Sequence, residues 1–308
     1  FDLSVQSIYG FVNFDETIKD GDKRPLCHIV IHDSVKGFFN WHQEFFVKVA
    51  KAMNIKIDEI GKGSNLQDAD VLIFHAPSHK SNIDKASMRK KYKNAVFVMT
   101  SMEQPFYYPI LQQLGYLNQN FDMMVTYSLR SIYPGTNLPN LPITYFPSHI
   151  VPVESVLTPG KSFGEKTGYG TGVSVVLFTS NCKAAGATQR YKYIEELMKH
   201  IEVHSYGSCL KNRDEPSMPN DPTWPPIAQR RARKIKVLSN YKFYLAFENA
   251  PIDDYVSEKV FEGLLAGTIS VYRGAKQIGQ FMPSNSSFIN ANSLSAQELA
   301  TLLKKIGS

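Results

Sequence analysis

The stretch "YKFYLAFENAPIDDYVSEKVFEGLLAGTISVYRGA" (residues 241–275) decides the fold. Its first apolar run, "YLAF", has no polar residue to face water, so it reads as a strand covered on both sides. That run stops at Glu248 and Asn249. A short acidic segment follows, and Asp253 or Asp254 is the expected N-cap of a helix that Gly267 ends. At about 100° per residue, Tyr255, Glu258, Lys259 and Glu262 would share one helix face, and Val256, Val260, Leu264 and Leu265 the other. A second apolar run, "ISVY", then completes a strand–helix–strand unit.

The same grammar recurs along the chain. "CHIVIHDS" ends at His32 and Asp33, "DVLIFHAPS" at His75, "AVFVMTSMEQP" at Glu103, "DMMVTYS" near Tyr127, and "VSVVLFTSN" at Ser180 and Asn181. Helical patterns lie between them, among them residues 41–54 and 189–200. Buried strands alternating with helices predict an α/β protein with mostly parallel sheets. Residues 151–172, rich in Gly, Pro and Ser, separate two such sets. The expected layout is therefore one domain over residues 1–150, a linker over 151–172, and a second domain over 173–308. Open parallel sheets bind ligands beyond the carboxyl ends of their strands. Glu103, Ser180, Asn181, Glu248 and Asn249 all fall there. A helix N-terminus bearing Lys259 beside Glu258 suits a nucleoside diphosphate, with the lysine for phosphate and the glutamate for ribose hydroxyls.

Composition narrows the rest. The 308 residues are 43% hydrophobic, enough for two cores. No apolar run of about 18 residues suggests a membrane span. The chain begins at Phe1 without a signal-peptide pattern, which predicts that its N-terminus has been trimmed. A net charge of +6 favours an anionic ligand. The densest basic cluster, "RRARKIK" (residues 230–236), lacks interleaved aromatics and reads as a solvated helix face, not a nucleic-acid surface. Of three cysteines, Cys182 and Cys209 follow strand-like segments and could pair, leaving Cys27 free. With no C-x-x-C pair, zinc is not expected. "DAD" (residues 68–70) precedes its strand, where a turn is expected, and so cannot serve as a metal-binding D-x-D. "NSS" at Asn285 is an N-glycosylation sequon.

At the residues of the opening stretch, "FEN", "DYVSEK" and "LLAGTISVYRGA" resemble the signature of glycosyltransferase family 10, the α1,3/α1,4-fucosyltransferases. "FTSNCKAAGATQRYKYIEEL" with "IEVHSYGSC", and more weakly "SMEQP" with "VTYSLRSIYPG", are similar to two further blocks of that family in the same order. The resemblance implies a GT-B fold, two facing Rossmann-like domains, the first for acceptor and the second for GDP-fucose. It also implies inverting α1,3-transfer of fucose to a GlcNAc-containing oligosaccharide or N-glycoprotein. By matching position, Glu103 is the general base. Ser180, Asn181, Arg190, Glu248, Asn249, Tyr255, Glu258 and Lys259 belong to the donor site. His75, a rival base, stands on the acceptor side with Tyr107 and Arg130. No metal site and no cofactor are implied, GDP-fucose being a substrate, although a divalent cation could stimulate. Nucleic acid is not an expected partner.

The resemblance further implies a Golgi-lumenal catalytic part of a type II membrane protein, attached to the membrane only through an anchor outside this sequence. The run "GSCLKNRDEP" (residues 207–216) is nearer to plant-type N-glycan-core enzymes. Gln104 replaces the serine of the family's E-S-P element, and "SLRS", with Arg130 in its midst, replaces an acidic D-S-D element. About two extra residues lie between Cys182 and Arg190. The alternatives are a GT-B enzyme for another nucleotide sugar and a catalytically inactive glycan-binding relative.

Overall fold

The structure is a computed structural model that describes residues 27–31, 54–59, 68–79, 84–143, 145, 160–183, 187–224 and 226–308. The helical pattern at residues 41–53 and the polar end at His32 and Asp33 lie outside the described residues.

Eleven strands form two sheets among the described residues, and every pairing is parallel. The first sheet contains β1 (Cys27–Ile31), β2 (Ile55–Glu59), β3 (Val71–His75), β4 (Val96–Ser101), β5 (Met123–Thr126) and β6 (Asn140–Pro142), in the order β2-β1-β3-β4-β5-β6. Two short helices, α1 (Lys85–Lys91) and α2 (Leu114–Asn120), connect its later strands. Leu72, Phe74, Phe97, Met99 and Met124 from the strands meet Tyr92, Leu117 and Phe121 in one buried cluster.

The second sheet contains β7 (Val175–Leu177), β8 (Val203–Ser205), β9 (Phe243–Phe247), β10 (Ile269–Arg273) and β11 (Phe288–Asn290), in the order β11-β10-β9-β7-β8. β9 sits at its centre and is buried at all five positions, as its unbroken apolar run requires. The alternation of a strand sends its residues to opposite faces. Phe243, Leu245 and Phe247 pack with Ile194 and Leu197 of α3 (Ala187–Leu197) and with Leu299 and Leu303 of α6 (Ala296–Gly307). Tyr244 and Ala246 face the other way, toward Val237 and Leu238 of α4 (Gln229–Leu238) and Val260 of α5 (Glu258–Leu265). Helix α6 starts on a capping box made by Ser295 and Glu298.

Helix α5 departs from expectation at its start. Its N-cap is Ser257, not Asp253 or Asp254. Residues 249–257 are spent instead on a loop that reaches the first sheet, where Asp254, at φ +63°, accepts hydrogen bonds from the Leu129 amide and the Ser128 hydroxyl. The helix stops as expected, with Gly267 at φ +61° after Ala266. Glu262 does not share the face of Lys259's surroundings. It is buried against α4, ion-paired with Arg231 at 3.1 Å and Lys234 at 2.6 Å. The basic cluster is therefore only partly a solvated face. Arg230 and Lys236 are exposed, while Arg231 and Lys234 turn inward because a buried carboxylate requires a counter-charge.

Candidate functional site

The strand order places a topological switch point in each sheet. In the second it lies between β7 and β9, where successive connections leave in opposite directions. Arg190 of α3 fills that crevice. It is 6% exposed, and its guanidinium donates to the carbonyls of Asn181 (2.6 Å) and Phe247 (3.1 Å) and to Asn249 Oδ1 (2.6 Å). Those three acceptors follow β7 or end β9, so one side chain ties the two strand ends together. Burial lowers its pKa, with the Glu248 carboxylate acting against that. Cys182 and Cys209 form a disulfide beside this point, and Cys27 is free. Ser180 is exposed and holds the neighbouring turn by accepting from Ser208.

A pocket opens at the same edge, lined by Gln189, Arg190, Glu248, Asn249, Arg273 and Lys276 among others. Arg273 lies 4.3 Å from the centre of the Tyr193 ring and donates to the carbonyls of Ala291 and Asn292. Lys276 is exposed at the lip. Arg273 and Lys276 were not among the residues expected at the site. The signal was present in "SVYRGAK", because β10 pairs in register beside β9 and ends on the same edge as Glu248. Gly274 is required there: a Cβ on it would lie 2.7 Å from Glu248 Cγ and 2.5 Å from the Tyr272 hydroxyl oxygen.

Behind the pocket edge, opposite charges alternate. Glu248 is buried, and its carboxylate accepts from the Ser257 amide (2.7 Å) and hydroxyl and from Lys259 Nζ (3.3 Å). Lys259 also donates to the Ser257 hydroxyl (2.7 Å) and to Glu258 (3.3 Å). Burial would lower the Lys259 pKa, but the carboxylates of Glu248 and Glu258 outweigh it and raise it. Burial would likewise raise Glu258, yet Lys259 first and Lys234 next hold it at about 2. Lys234 is itself paired to Glu262, so the charges run from α4 through α5 to the end of β9.

Glu103 comes from the first sheet, two residues beyond β4. Its backbone is fixed by Ser101, whose hydroxyl accepts from the Glu103 amide and donates to its carbonyl. Its carboxylate Oε2 accepts a 2.9 Å hydrogen bond from the hydroxyl of Tyr255, 152 residues away. Burial pushes the Glu103 carboxyl above its usual value, Glu258 and Glu248 add to the push, and Tyr255 and Lys259 pull the other way without cancelling it. No cation stands within ion-pairing distance of it among the described residues. Such a group is a proton acceptor of raised basicity.

The structure thus brings Glu103, Tyr255, Glu248, Glu258 and Lys259 into one electrostatically coupled group, with Arg190 and Asn249 at the adjoining pocket. Tyr255 is 1% exposed, packs edge-on to Tyr127 and Tyr145, and lies in the loop before α5. His75 ends β3, one strand over from β4, in register with Thr100. Tyr107 and Arg130 are exposed beyond β4 and β5. Asp70 of "DAD" lies at the opposite, amino end of the first sheet, where it accepts from the His28 amide at 2.7 Å. Among the described residues no three His, Cys, Asp or Glu side chains cluster as a metal would need, and no helix is long and apolar enough to cross a membrane.

Two parallel α/β sheets, in contact where the Tyr255 hydroxyl meets Glu103, have the architecture of the GT-B fold. The chain superimposes on a crystal structure of an α1,3-fucosyltransferase with GDP-fucose at a TM-score of 0.59, with 16% identity over 94% of this chain and 81% of that one. Residues 171–308 match "Glycosyltransferase family 10 (fucosyltransferase) C-term", so the second half of this chain is similar to that family's C-terminal domain. Two relatives illustrate the range. Alpha-(1,3)-fucosyltransferase B of Drosophila melanogaster is 34% identical over 220 residues, 70% of this chain and 46% of the relative. GDP-fucose protein O-fucosyltransferase 3 of Gallus gallus is 42% identical over 133 residues, 43% of this chain and 27% of the relative. The matched stretches therefore span about half or less of those relatives.

Proposed function

We propose that this protein is an inverting fucosyltransferase that moves fucose from GDP-fucose to a hydroxyl of a GlcNAc-containing glycan, forming an α1,3 linkage, with Glu103 as general base. The observation that carries this reading is the pairing of a cation-free carboxylate of raised pKa on one sheet with a basic switch-point pocket on the other. In this reading residues 1–150 receive the acceptor, residues 173–308 hold the donor, and 151–172 join them. The acceptor oxygen attacks the anomeric carbon while its proton passes to Glu103. The bond to the β-phosphate breaks, and its electron pair leaves with GDP. One displacement inverts the centre, and no second carboxylate is needed as nucleophile.

Arg190 organises the pocket through three backbone and amide acceptors, and Lys259, Arg273 and Lys276 supply positive potential for the departing diphosphate. Lys259 would contact phosphate by exchanging one of its carboxylate partners. Glu258 and Asn249 remain candidates for ribose and sugar hydroxyls, and Ser180 and Asn181 for the turn beneath the diphosphate. His75, Tyr107 and Arg130 stand on the acceptor side. No metal or other cofactor is required for this chemistry, since fixed cations do the work. On this reading we assign the protein to the Golgi lumen, as the family resemblance implies.

A second reading is favoured by one observation, the similarity to GDP-fucose protein O-fucosyltransferase 3: the acceptor would then be a side-chain hydroxyl of a polypeptide. The test is a panel of nucleotide sugars followed by an array holding GlcNAc-terminated glycans and folded protein acceptors. Turnover of GDP-fucose with transfer to GlcNAc glycans is expected. Transfer only to protein would move the acceptor assignment, and turnover of another nucleotide sugar in place of GDP-fucose would overturn the donor.

A further inference from the structure

The sequon at residues 285–287 has no part in sugar transfer, and it occupies a distinct place in the second sheet. It lies in the connection from β10 to β11. Met282 and Phe288 are buried in the core on either side, while Pro283, Ser284, Asn285 and Ser286 are exposed. The side-chain hydrogen bonds of this turn are local. The Ser287 hydroxyl donates to the Ser284 carbonyl at 2.7 Å, and the hydroxyls of Ser284 and Ser286 lie 2.9 Å apart. The Asn285 side chain makes no hydrogen bond among the described residues. Because β11 runs parallel to β10, with Ser270 opposite Phe288 and Tyr272 opposite Asn290, Asn285 stands before the amino end of β11. The pocket, lined by Arg273 and Asn292, stands beyond the carboxyl end. The whole strand separates the two.

The two edge strands of this sheet, β8 and β11, are treated differently. An edge presents unpaired backbone groups to any second strand. The edge of β8 is covered by its own chain. Asn212 Oδ1 accepts from the Ser205 amide at 2.8 Å, its Nδ2 donates to the Val203 carbonyl at 2.8 Å, and the amides of Asn212 and Arg213 donate to the Ser205 carbonyl. Among the described residues no side chain or loop covers β11 in this way. We propose that Asn285 carries an N-linked glycan and that this glycan shields the free edge of β11, which begins three residues further on. The sugar donor is a polyprenyl-diphosphate-linked oligosaccharide. The amide nitrogen of Asn285 bonds to its anomeric carbon, the carbon–oxygen bond to phosphate breaks, the electron pair leaves with the polyprenyl diphosphate, and the amide gives up one proton. Ser286 is not proline, and Ser287 supplies the hydroxyl that the sequon demands. The transfer belongs to the secretory pathway, so the inference rests on the lumenal placement in the proposed function.

The experiment expresses the full-length protein in eukaryotic cells and releases its N-glycans with an amidase in heavy-oxygen water, which leaves a mass label on each formerly glycosylated asparagine. The label is expected at Asn285. Loss of one glycan's mass is expected in Asn285→Gln and also in Ser287→Ala, which keeps the asparagine. Light scattering then compares the intact parent with the same protein after trimming, so that no substitution has to fold. The trimmed protein should self-associate at a lower concentration. A trimmed protein that associates no more than the intact one would overturn the shielding role. Cys182 and Cys209 report the compartment independently, through thiol alkylation of the same sample. An unmodified Asn285 in chains whose disulfide has formed overturns this inference and leaves the lumenal placement standing. An unmodified Asn285 together with free thiols overturns the lumenal placement, and this inference falls with it.

Discussion

Glu103 and Glu258 are the same amino acid on either side of one contact, and they titrate in opposite directions. Burial raises Glu103, with only a tyrosine hydroxyl bonded to it. Glu258 would also be raised by burial, but it sits within a chain of lysines and arginines that holds it at about 2. Glu103 of the first half has no ion-pair partner among the described residues, whereas the buried carboxylates of Glu248 and Glu262 in the second half are each ion-paired to a lysine. A proton acceptor has to be left unpaired, whereas a scaffold for an anion has to keep its charges in place.

The largest expected effect breaks this contrast on its uncompensated side. Glu103→Gln keeps the shape and can still accept from Tyr255, but cannot take a proton. Its kcat should fall by about 10²–10⁴, with GDP affinity and stability nearly unchanged. Steady-state kinetics with calorimetric GDP titration check this, and lost GDP binding would remove Glu103 from the base role.

On the compensated side, Glu262→Ala leaves Arg231 and Lys234 facing each other without their carboxylate. Loss of one member of a buried ion pair costs about 3–5 kcal/mol, measurable by urea denaturation. Little change there would mean that these two cations relax freely into solvent.

Two lysines sharpen the comparison further. Lys259→Ala should weaken GDP binding by about 10–100-fold, as expected for one charge-assisted contact. Lys276→Ala, at the exposed lip, should weaken it by only about 2–5-fold and more visibly at low salt. Calorimetry at two ionic strengths distinguishes them, and equal losses would show that both cations touch the ligand alike. The smallest effect is the removal of metal. Turnover should persist in excess chelator, and complete, metal-reversible loss with an intact circular dichroism spectrum would contradict the cationic-pocket reading.

Much of this architecture was legible in the sequence, because strand-end logic depends only on apolar runs and the polar residues that stop them. Glu248, Asn249 and Glu103 were found that way, and Arg273 and Lys276 could have been, since β10 ends on the same edge. The helix start was misread for a specific reason. Asp253 and Asp254 are good caps in isolation, but Asp254 spends its carboxylate on Ser128 and Leu129, some 125 residues away. Local spacing carries no record of such a contact. The inward turn of Arg231 and Lys234 was hidden likewise, since their buried partner lies on another helix. The bond from Tyr255 to Glu103 joins positions 152 residues apart, and only the packing of the two halves creates it.

The Cys182–Cys209 disulfide has a consequence for where the chain can mature. It closes a loop of 27 residues, and a covalent closure of that length removes about 3–4 kcal/mol of chain entropy from the unfolded state. Cys182 directly follows Asn181, whose carbonyl anchors Arg190, and the Cys209 amide donates to Thr179. The bridge thus ties the segment that anchors Arg190 to the chain just beyond β8. In a reducing compartment the same polypeptide would lack that covalent tie, so a fully clamped crevice requires oxidising surroundings.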